Sequence, residues 1–301
     1  MPTPLVPSIS SNQLTVSALL KSPAALNAVL AQLTADRLVM PAFFGTSVST
    51  IQGGGLVYSV LLNGSNFTIS DVAERSPGAE YVVTDGETTF DLATPQDWGS
   101  KVQILDEERD RSHTITLGNK LIQQANTLTK KIDQIAIAAI DAALTRHSIA
   151  GVPGNYWDGL VTAGPEAELT PSTKRPTADF ARANLLARVD DLGIGTLNVL
   201  VCHPQQEAAL KIGYGEGLAA ALASAGITSV RTSTLVTNGT AYLVEEGKAG
   251  QVAFERPLMT ETIDDRHHRS TWIQSYAVPA FAVTTPGAVR KITGLNVDPE
   301  A

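Results

Sequence analysis

Cysteine is nearly absent from this 301-residue chain, where Cys202 stands alone. No intrachain disulfide can form and no cysteine-based zinc centre can be assembled, a usage that fits a reducing compartment. Aromatic residues are scarce too, at 5% against a hydrophobic content of 43%, so aliphatic side chains and alanine must fill the interior. Positive charge is in short supply: 22 Lys and Arg face 30 Asp and Glu, giving a net charge of −8 and a pI near 5.1. A protein that binds nucleic acid regardless of sequence needs a basic surface to neutralise phosphates, and no dense Lys/Arg run is present. The acidic balance favours solubility and limits adhesion to DNA. No basic stretch followed by an apolar run opens the chain, and no run of about 20 apolar residues occurs, so neither a signal peptide nor a membrane span is expected. The sequons at Asn63, Asn66 and Asn238 are read as chance matches in a chain without a secretion signal.

What is present has a definite order. Residues 1–16, rich in Pro, Ser and Thr, read as extended. Ser22-Pro23 then opens a helix, with Ser as cap and Pro at the first position, and Leu26, Val29, Leu30 and Leu33 follow at helical spacing until Pro41 closes the segment. Residues 53–105 read as β. Gly53-Gly54-Gly55 precedes an apolar run from Leu56 to Leu62, Phe67–Val72 and Tyr81–Thr84 are strand-like, and Pro77-Gly78 marks a polar turn between them. Thr88–Leu92 and Lys101–Leu105 form the return limb. A two-limbed hairpin of this kind is marginal in water and needs another surface to lie on.

Residues 112–147 hold no proline and one glycine, Gly118. Leu121, Ala125, Leu128, Ile132, Ile135, Ala139 and Ala143 recur at spacings of mostly four and three, with Ile122, Ala136, Ile140 and Leu144 widening the face, which predicts an amphipathic helix. At 1.5 Å per residue it spans roughly 50 Å. Asp106, Glu107, Glu108 and Asp110 sit just before or at its start, Arg146 and His147 in its last turn, and Gly151 follows as a stop. Residues 152–176 are loop-like. Short α/β alternation follows: a helix from Thr177, a buried strand Leu197–Val201, helices from Pro204 to Ile212 and over 216–225, and short strands at Ser229–Val230 and Thr234–Val236. Strands at Ala241–Glu245, Gly250–Phe254, Leu258–Ile263, Thr271–Ala277 and Ala280–Thr284 complete the chain.

No catalytic constellation emerges. Gly213-Tyr-Gly215-Glu-Gly217 follows a helix and lacks the spacing of a dinucleotide fingerprint, so it reads as a flexible loop. Gly53-Gly54-Gly55 lacks the Gly-Lys-Ser/Thr ending of a phosphate loop. Cys202 and His203 are neighbours at a strand end and point to opposite faces, so they do not pair as nucleophile and base, and a lone buried Cys behaves as a small hydrophobe. In Asp264-Asp265-Arg266-His267-His268-Arg269 the same alternation brings too few ligands to one face for a metal, and a charged exposed turn is expected. Lys120, Lys130, Lys131 and Asp133 mark a solvated or intersubunit helix face. No G-x-S-x-G elbow or H-E-x-x-H pair exists. The reading therefore assigns no catalytic, cofactor-binding or metal residue, and no enzyme activity. A soluble hydrolase built on a serine, His203 and an aspartate is the distant alternative.

Extended arm, short helix, long β excursion, very long helix, α/β insert and strand-rich end follow one another in an order that resembles the major capsid proteins of tailed bacteriophages with the HK97 fold, over nearly the whole chain. Gly53-Gly54-Gly55-Leu56-Val57-Tyr58 is similar to the start of that family's E-loop, and residues 69–80 to its tip. Residues 97–108 resemble the return strand and its junction with the spine helix, residues 278–288 the last strand, and residues 14–23 the N-arm of actinobacteriophage capsid proteins. The resemblance implies an α+β HK97-like fold with an N-terminal arm and short helix over 1–48, the E-loop over 49–105, the P-domain spine helix over 106–151, an α/β A-domain over 152–237, and the P-domain sheet and C-terminus over 238–301.

The same resemblance implies a shell subunit that assembles with itself, as pentamers and hexamers, into an icosahedral virion capsid in the host cytoplasm. The shell encloses double-stranded DNA without specific binding, with no cofactor and no membrane. Portal, separate scaffolding and decoration proteins are candidate partners. Glu74, Arg75, Pro77, Glu80, Trp98, Asp265 and Arg266 are expected at intersubunit contacts. Some family members crosslink covalently through a lysine near the E-loop tip, whereas this chain has no lysine between Lys21 and Lys101, so a shell without such crosslinks is expected. About 50 residues precede the excursion, so scaffolding is expected from a separate protein or from a segment already removed, unless none is needed. An encapsulin-like compartment, which shares the fold and encloses enzymes, is the nearer alternative.

Overall fold

The computed structural model describes residues 38–46, 51, 54–110 and 114–297. The extended arm and the helix expected from Ser22 lie outside the described residues. In chain order the elements are α1 (Met40–Phe43), β1 (Phe44–Thr46), β2 (Leu56–Val60), β3 (Thr89–Ala93), β4 (Trp98–Leu105), α2 (Asp106–Asp110), α3 (Thr114–Arg146), β5 (Val152–Pro153), α4 (Pro176–Val189), β6 (Val199–Cys202), α5 (Pro204–Tyr214), α6 (Leu218–Ser224), β7 (Ser229–Thr232), β8 (Thr240–Val244), β9 (Gly250–Asp265), β10 (Ser270–Ala282) and β11 (Val289–Thr293). They divide between two compact units, one containing Pro95–Asp133 and Phe254–Ala280, the other containing Val39–Thr94, Gln134–Ala253 and the chain from Phe281 onward.

In the first unit β10 pairs antiparallel with β4, from Ser270 opposite Leu105 to Ala277 opposite Trp98, and β9 lies on the other side of β10. A buried hydroxyl pair, Thr260 and Ser275 at 3.0 Å, ties β9 to β10 from inside. The helix α3 is bound to β4 through backbone carbonyls: Gln124 Nε2 donates to Ser100 O at 2.8 Å and Lys120 Nζ to Gln103 O at 3.1 Å. Gly99 allows β10 its close approach, since a Cβ there would stand 2.7 Å from that of Tyr276.

The second unit is built on a sheet of order β5-β11-β8-β6-β7. β8 runs antiparallel to both its neighbours, while the outer pairs β6–β7 and β5–β11 are parallel. All four residues of β6 are buried, as its unbroken apolar sequence requires. Trp157, Phe180, Leu197, Leu200, Leu210, Leu243 and Ile292 form its core, each burial contributing about 1.5–3 kcal/mol before chain entropy is counted. Trp157 meets Phe180 edge-on at 5.5 Å. Asp179, fully buried on α4, accepts from the Asn155 amide at 2.9 Å and from Trp157 Nε1 at 2.9 Å, which fixes the loop after β5.

Several expectations need correction. Phe67–Val72 and Tyr81–Thr84 are not strands: the ladder ends at Val60 opposite Thr89, and beyond it a bond from Ile69 N to Asp85 O is what joins the limbs. Strand-forming residues without a paired neighbour do not hold a strand. The acidic cluster before the long helix forms its own short helix, α2, ahead of α3. The long helix does not stop at Gly151. Ser148 takes the left-handed conformation at φ 52°, Ser148 N bonds to Thr145 O and Ile149 N to Leu144 O, a Schellman ending with serine where glycine is usual. Pro41 lies in the first turn of α1, and the segment it was expected to close lies outside the described residues. Residues 234–236 form a turn and no strand. The paired strands expected over 250–263 and over 271–284 are the single strands β9 and β10, which run through Pro257 and Pro279. β1, β5 and β11 were not anticipated.

The helix α3 follows its spacing rule with three departures. Leu121, Ala125, Leu128, Ile132 and Ala143 are buried as expected, as are Ala136, Ile140 and Leu144 on the widened face, but Ile135 and Ala139 are half-exposed, Ile122 is exposed and Ile137 is buried instead. Spacings of four and three have a period of 3.5, and a straight helix of period 3.6 drifts by about 20° per heptad, so the buried seam moves off the predicted line.

Candidate functional site

The excursion between β2 and β3 is the candidate site, and its chemistry begins at its root. β2 and β3 pair antiparallel from Leu56 opposite Ala93. At this root Tyr58 donates its hydroxyl to Asp91 Oδ2 at 3.2 Å, and Arg146 at the end of α3 makes an ion pair with the same carboxylate. Burial, with the Asp91 charge beside it, pushes the Tyr58 hydroxyl up to about 12. Burial pulls Asp91 upward as well, but the Leu92 amide, the Arg146 guanidinium and the Tyr58 hydroxyl together hold its carboxyl below the usual aspartate range. Leu61 N donates to Thr284 O at 2.8 Å and Asn66 Nδ2 to Asp191 O at 3.2 Å, so the root is tied at four points.

Beyond the root the excursion is in solvent. Phe67, Ile69, Val72, Tyr81 and Val83 are 58%, 72%, 83%, 75% and 90% exposed, and Phe90 and Leu92 on β3 are exposed as well. Apolar residues scattered singly on a surface need no explanation, whereas this concentration along one projecting segment marks an interaction surface. Its tip is a closed turn: Ala79 N bonds to Ser76 O, Arg75 reaches over to donate to Ala79 O at 2.8 Å, and its guanidinium stacks on the Tyr81 ring at 4.6 Å. Gly78, at φ 89°, supplies the backbone geometry that the turn requires.

The residues expected at intersubunit contacts fall in three places. Glu74, Arg75, Pro77 and Glu80 are together on the exposed tip. Trp98 begins β4, half-buried under the Lys131 ammonium at 4.4 Å, with its Nε1 buried and without a hydrogen-bond partner among the described residues. Asp265 and Arg266 lie in the turn joining β9 to β10, and both are engaged within the chain. Asp265 accepts from the His267 and His268 amides and from the His268 ring, which holds its carboxyl low, while Arg266 pairs with Asp264 at 2.8 Å and with Asp106 at 3.8 Å.

The sequence reading passed over a second surface. On the first unit, Asp97, Lys101, Arg256, Glu261, Gln274 and Tyr276 line an open groove of about 610 Å³ across β4, β10 and β9. Tyr276 donates to Glu261 at 2.7 Å and Lys101 stacks on Trp272 at 4.6 Å, while Asp97 and Arg256 make no hydrogen bond or ion pair with the described residues. Polar residues at alternate strand positions were the available signal, but which strands stand side by side was not.

The residues weighed for chemistry have structural work. Cys202 is fully buried and burial pushes its thiol up to about 12, away from nucleophilic use. His203 caps α5, its Nδ1 accepting from Gln205 N at 3.2 Å. Gly213 and Tyr214 end α5, and Gly215–Gly217 form a single 3-10 turn that leads into α6. No grouping of His, Cys, Asp and Glu among the described residues could hold a metal ion, and no helix among them is long and apolar enough to cross a membrane.

A sequence model for the family described as phage capsid protein matches residues 88–292. No curated protein matches in sequence. Similar solved structures include the virus-like particle from Pyrococcus furiosus, with TM-score 0.60 and 13% identity over 89% of this chain and 97% of that one. A protein of Mycobacterium phage Bobi has TM-score 0.59 and 10% identity over 85% and 90%. The capsid structure of the cyanophage P-SCSP1u gives TM-score 0.59 and 16% identity over 83% and 86%. At these identities the likeness is one of fold.

Proposed function

Because this chain belongs to the phage capsid protein family and has an HK97-like fold, we propose that it closes an icosahedral shell of pentamers and hexamers around double-stranded phage DNA. It is a major capsid protein that assembles with itself, and its place is the virion. In the proposed shell the root fixes the excursion's direction, the exposed limbs lie on neighbouring copies, and contacts that are weak one by one close the array through repetition.

The observation that carries this reading is the projecting segment with Phe67, Ile69, Val72, Tyr81 and Val83 in water. Burying such side chains is worth about 25 cal/mol per Å², a gain that only a partner can realise. The division into N-arm, E-loop, spine helix, A-domain and P-domain sheet, with the boundaries given by the sequence, belongs to the same proposal. So do a purely structural, non-enzymatic role, assembly in the host cytoplasm, and portal, scaffolding or decoration proteins as further partners. The net charge of −8 favours loose contact with packaged DNA, which must later leave.

Electron microscopy of the expressed chain tests the proposal, with closed particles as the expected result. Deleting residues 63–86 should leave a soluble subunit that forms no particles, and normal shells from that deletion would reject the role given to the excursion. Likeness to a virus-like particle keeps the encapsulin-like reading in view. Particles filled with protein cargo in place of DNA would favour it.

A further inference from the structure

We infer that Asn63 is a site of spontaneous deamidation in the folded subunit, and that its isoaspartate product disables the excursion and retires subunits that have waited unassembled. The retirement rests on the reading of the excursion as an assembly element, whereas the chemistry at Asn63 does not.

The chain contains two Asn-Gly pairs, Asn63-Gly64 and Asn238-Gly239. Such a pair is reactive because glycine has no Cβ to shield its backbone nitrogen from the preceding side chain. The fold treats the two pairs differently. Asn63 and Gly64 are both exposed, and neither the Asn63 side chain nor Gly64 N makes a hydrogen bond with the described residues. A Cβ built on Gly64 would meet nothing within 4 Å, so a ring closing there has room. The pair sits at the centre of a turn with Gly64 at φ 86°, closed only by Ser65 N to Leu62 O at 2.9 Å and Leu62 N to Ser65 Oγ at 3.1 Å.

Asn238 is locked by comparison. Its Nδ2 donates to Gln205 Oε1 at 2.9 Å and its Oδ1 accepts from Gln206 Nε2 at 2.8 Å. Gly239 is buried, accepts from Leu295 N at 3.0 Å, and packs so closely on Asn296 that a Cβ would collide with it. Asp85-Gly86 on the return limb offers the same ring from a carboxylate, which is a poorer electrophile than an amide at neutral pH.

The step is an acyl transfer within the chain. Gly64 N gives up its proton to hydroxide and attacks Asn63 Cγ. The Cγ–Nδ2 bond breaks, and the nitrogen takes a proton from water and leaves as ammonia, closing a succinimide. Water then opens the ring. Breaking the bond from Gly64 N to Cγ leaves aspartate. Breaking the bond from Gly64 N to the backbone carbonyl carbon leaves isoaspartate, with the chain routed through the former side chain. Overall one water enters and one ammonia leaves.

The turn lies between two ties of the excursion root, Leu61 N to Thr284 O and Asn66 Nδ2 to Asp191 O. Isoaspartate adds a methylene to the backbone between them and a negative charge beside them. The turn bonds, with that from Phe67 N to Gly64 O at 3.0 Å, are thereby pulled out of register and the excursion loses its direction.

The test is ageing of the full-length soluble subunit in mildly alkaline buffer, followed by tryptic mapping with fragmentation that distinguishes isoaspartate. Cleavage at Arg75 puts Asn63 and Asp85 in separate peptides. Asn63 should convert at least tenfold faster than Asn238 in the folded subunit, and the two rates should come within a few-fold in denaturant. Equal rates in the folded subunit, or a gap that persists in denaturant, overturn the selection of Asn63 by the fold.

Particle yield by electron microscopy should fall in step with the isoaspartate fraction, while an Asn63→Ser subunit aged alongside keeps its yield. Treating the aged parent with a protein isoaspartate methyltransferase and its methyl donor, which returns isoaspartate to aspartate, should restore most of the yield. Undiminished yield from converted parent, equal loss in Asn63→Ser, or no recovery after repair overturns the retirement role. Normal shells after deletion of residues 63–86 remove the parent reading instead and leave the chemistry at Asn63 standing.

Discussion

Arg290 on β11 places a buried guanidinium between two chain segments that the sequence separates by 40 residues, pairing with Asp190 after α4 and donating to Leu186 O at 3.2 Å and to Ala150 O at 3.1 Å. One side chain thereby closes the carbonyl end of α4 and anchors the segment that leaves α3. Replacing Arg290 by Ala leaves the Asp190 carboxylate and the Ala150 carbonyl without that donor, while Leu186 O keeps the Asp190 amide, and the loss should be about 3 kcal/mol. Replacement by Lys should recover little, because an ammonium cannot span three acceptors in the planar fork that guanidinium offers. Urea unfolding of the soluble subunit measures both.

The serine at the end of α3 gives a prediction of opposite sign. Ser148 holds φ 52°, a conformation that costs an L-residue about 1 kcal/mol and glycine nearly nothing. Ser148→Gly should raise the unfolding midpoint by about that free energy, and Ser148→Val should lower it.

The excursion root should respond to acid. Asp91 titrates below the usual aspartate range in the folded chain, so its contribution to stability is present above the unfolded value and is lost as pH falls through the folded one. The Arg146 partner is largely exposed, and a pair in that setting is worth about 0.5 kcal/mol. Asp91→Asn should speed amide exchange over β2 and β3 at neutral pH. Lowering the pH of the parent protein below the aspartate range should do the same, with no such response in the variant.

Two chemical probes follow from composition and burial. Cys202 should resist alkylation in the folded subunit and react fully in denaturant, as mass spectrometry would show. Shells boiled in detergent should run as 31.7 kDa monomers on gels, whereas ladders of multimers in the parent protein would reveal a covalent bond that the lysine-free excursion does not foresee.

Legibility in the sequence followed the range of the interactions. α3 was readable because its periodicity is local and long, and β6 because four buried apolar residues need no partner to be recognised. β11 was missed although Val289 and Ile292 are buried, because Arg290 and Lys291 stand between them and their reasons lie elsewhere: Arg290 at Asp190, and Lys291 at Asp141 at 2.9 Å. The turn that carries Glu74, Arg75, Pro77 and Glu80 is legible from Pro77-Gly78. Tyr58, Asp91 and Arg146 are not, since their meeting depends on how β3 and the end of α3 come together. The limbs were read as strands from β-forming residues alone, and the missing ladder shows that propensity without a neighbour decides little.

The irregular limbs have a kinetic consequence. Between the root and the tip few backbone groups are bonded within the subunit, so water solvates them until a neighbour arrives. Ordering a residue costs about 1–2 kcal/mol, and in the proposed shell that cost would fall at the moment of docking and not during folding. Each docking step is therefore weaker than the apolar area alone would make it. In the proposed shell a misplaced subunit would leave again before the lattice grows past it, and errors would be corrected while the shell is still open.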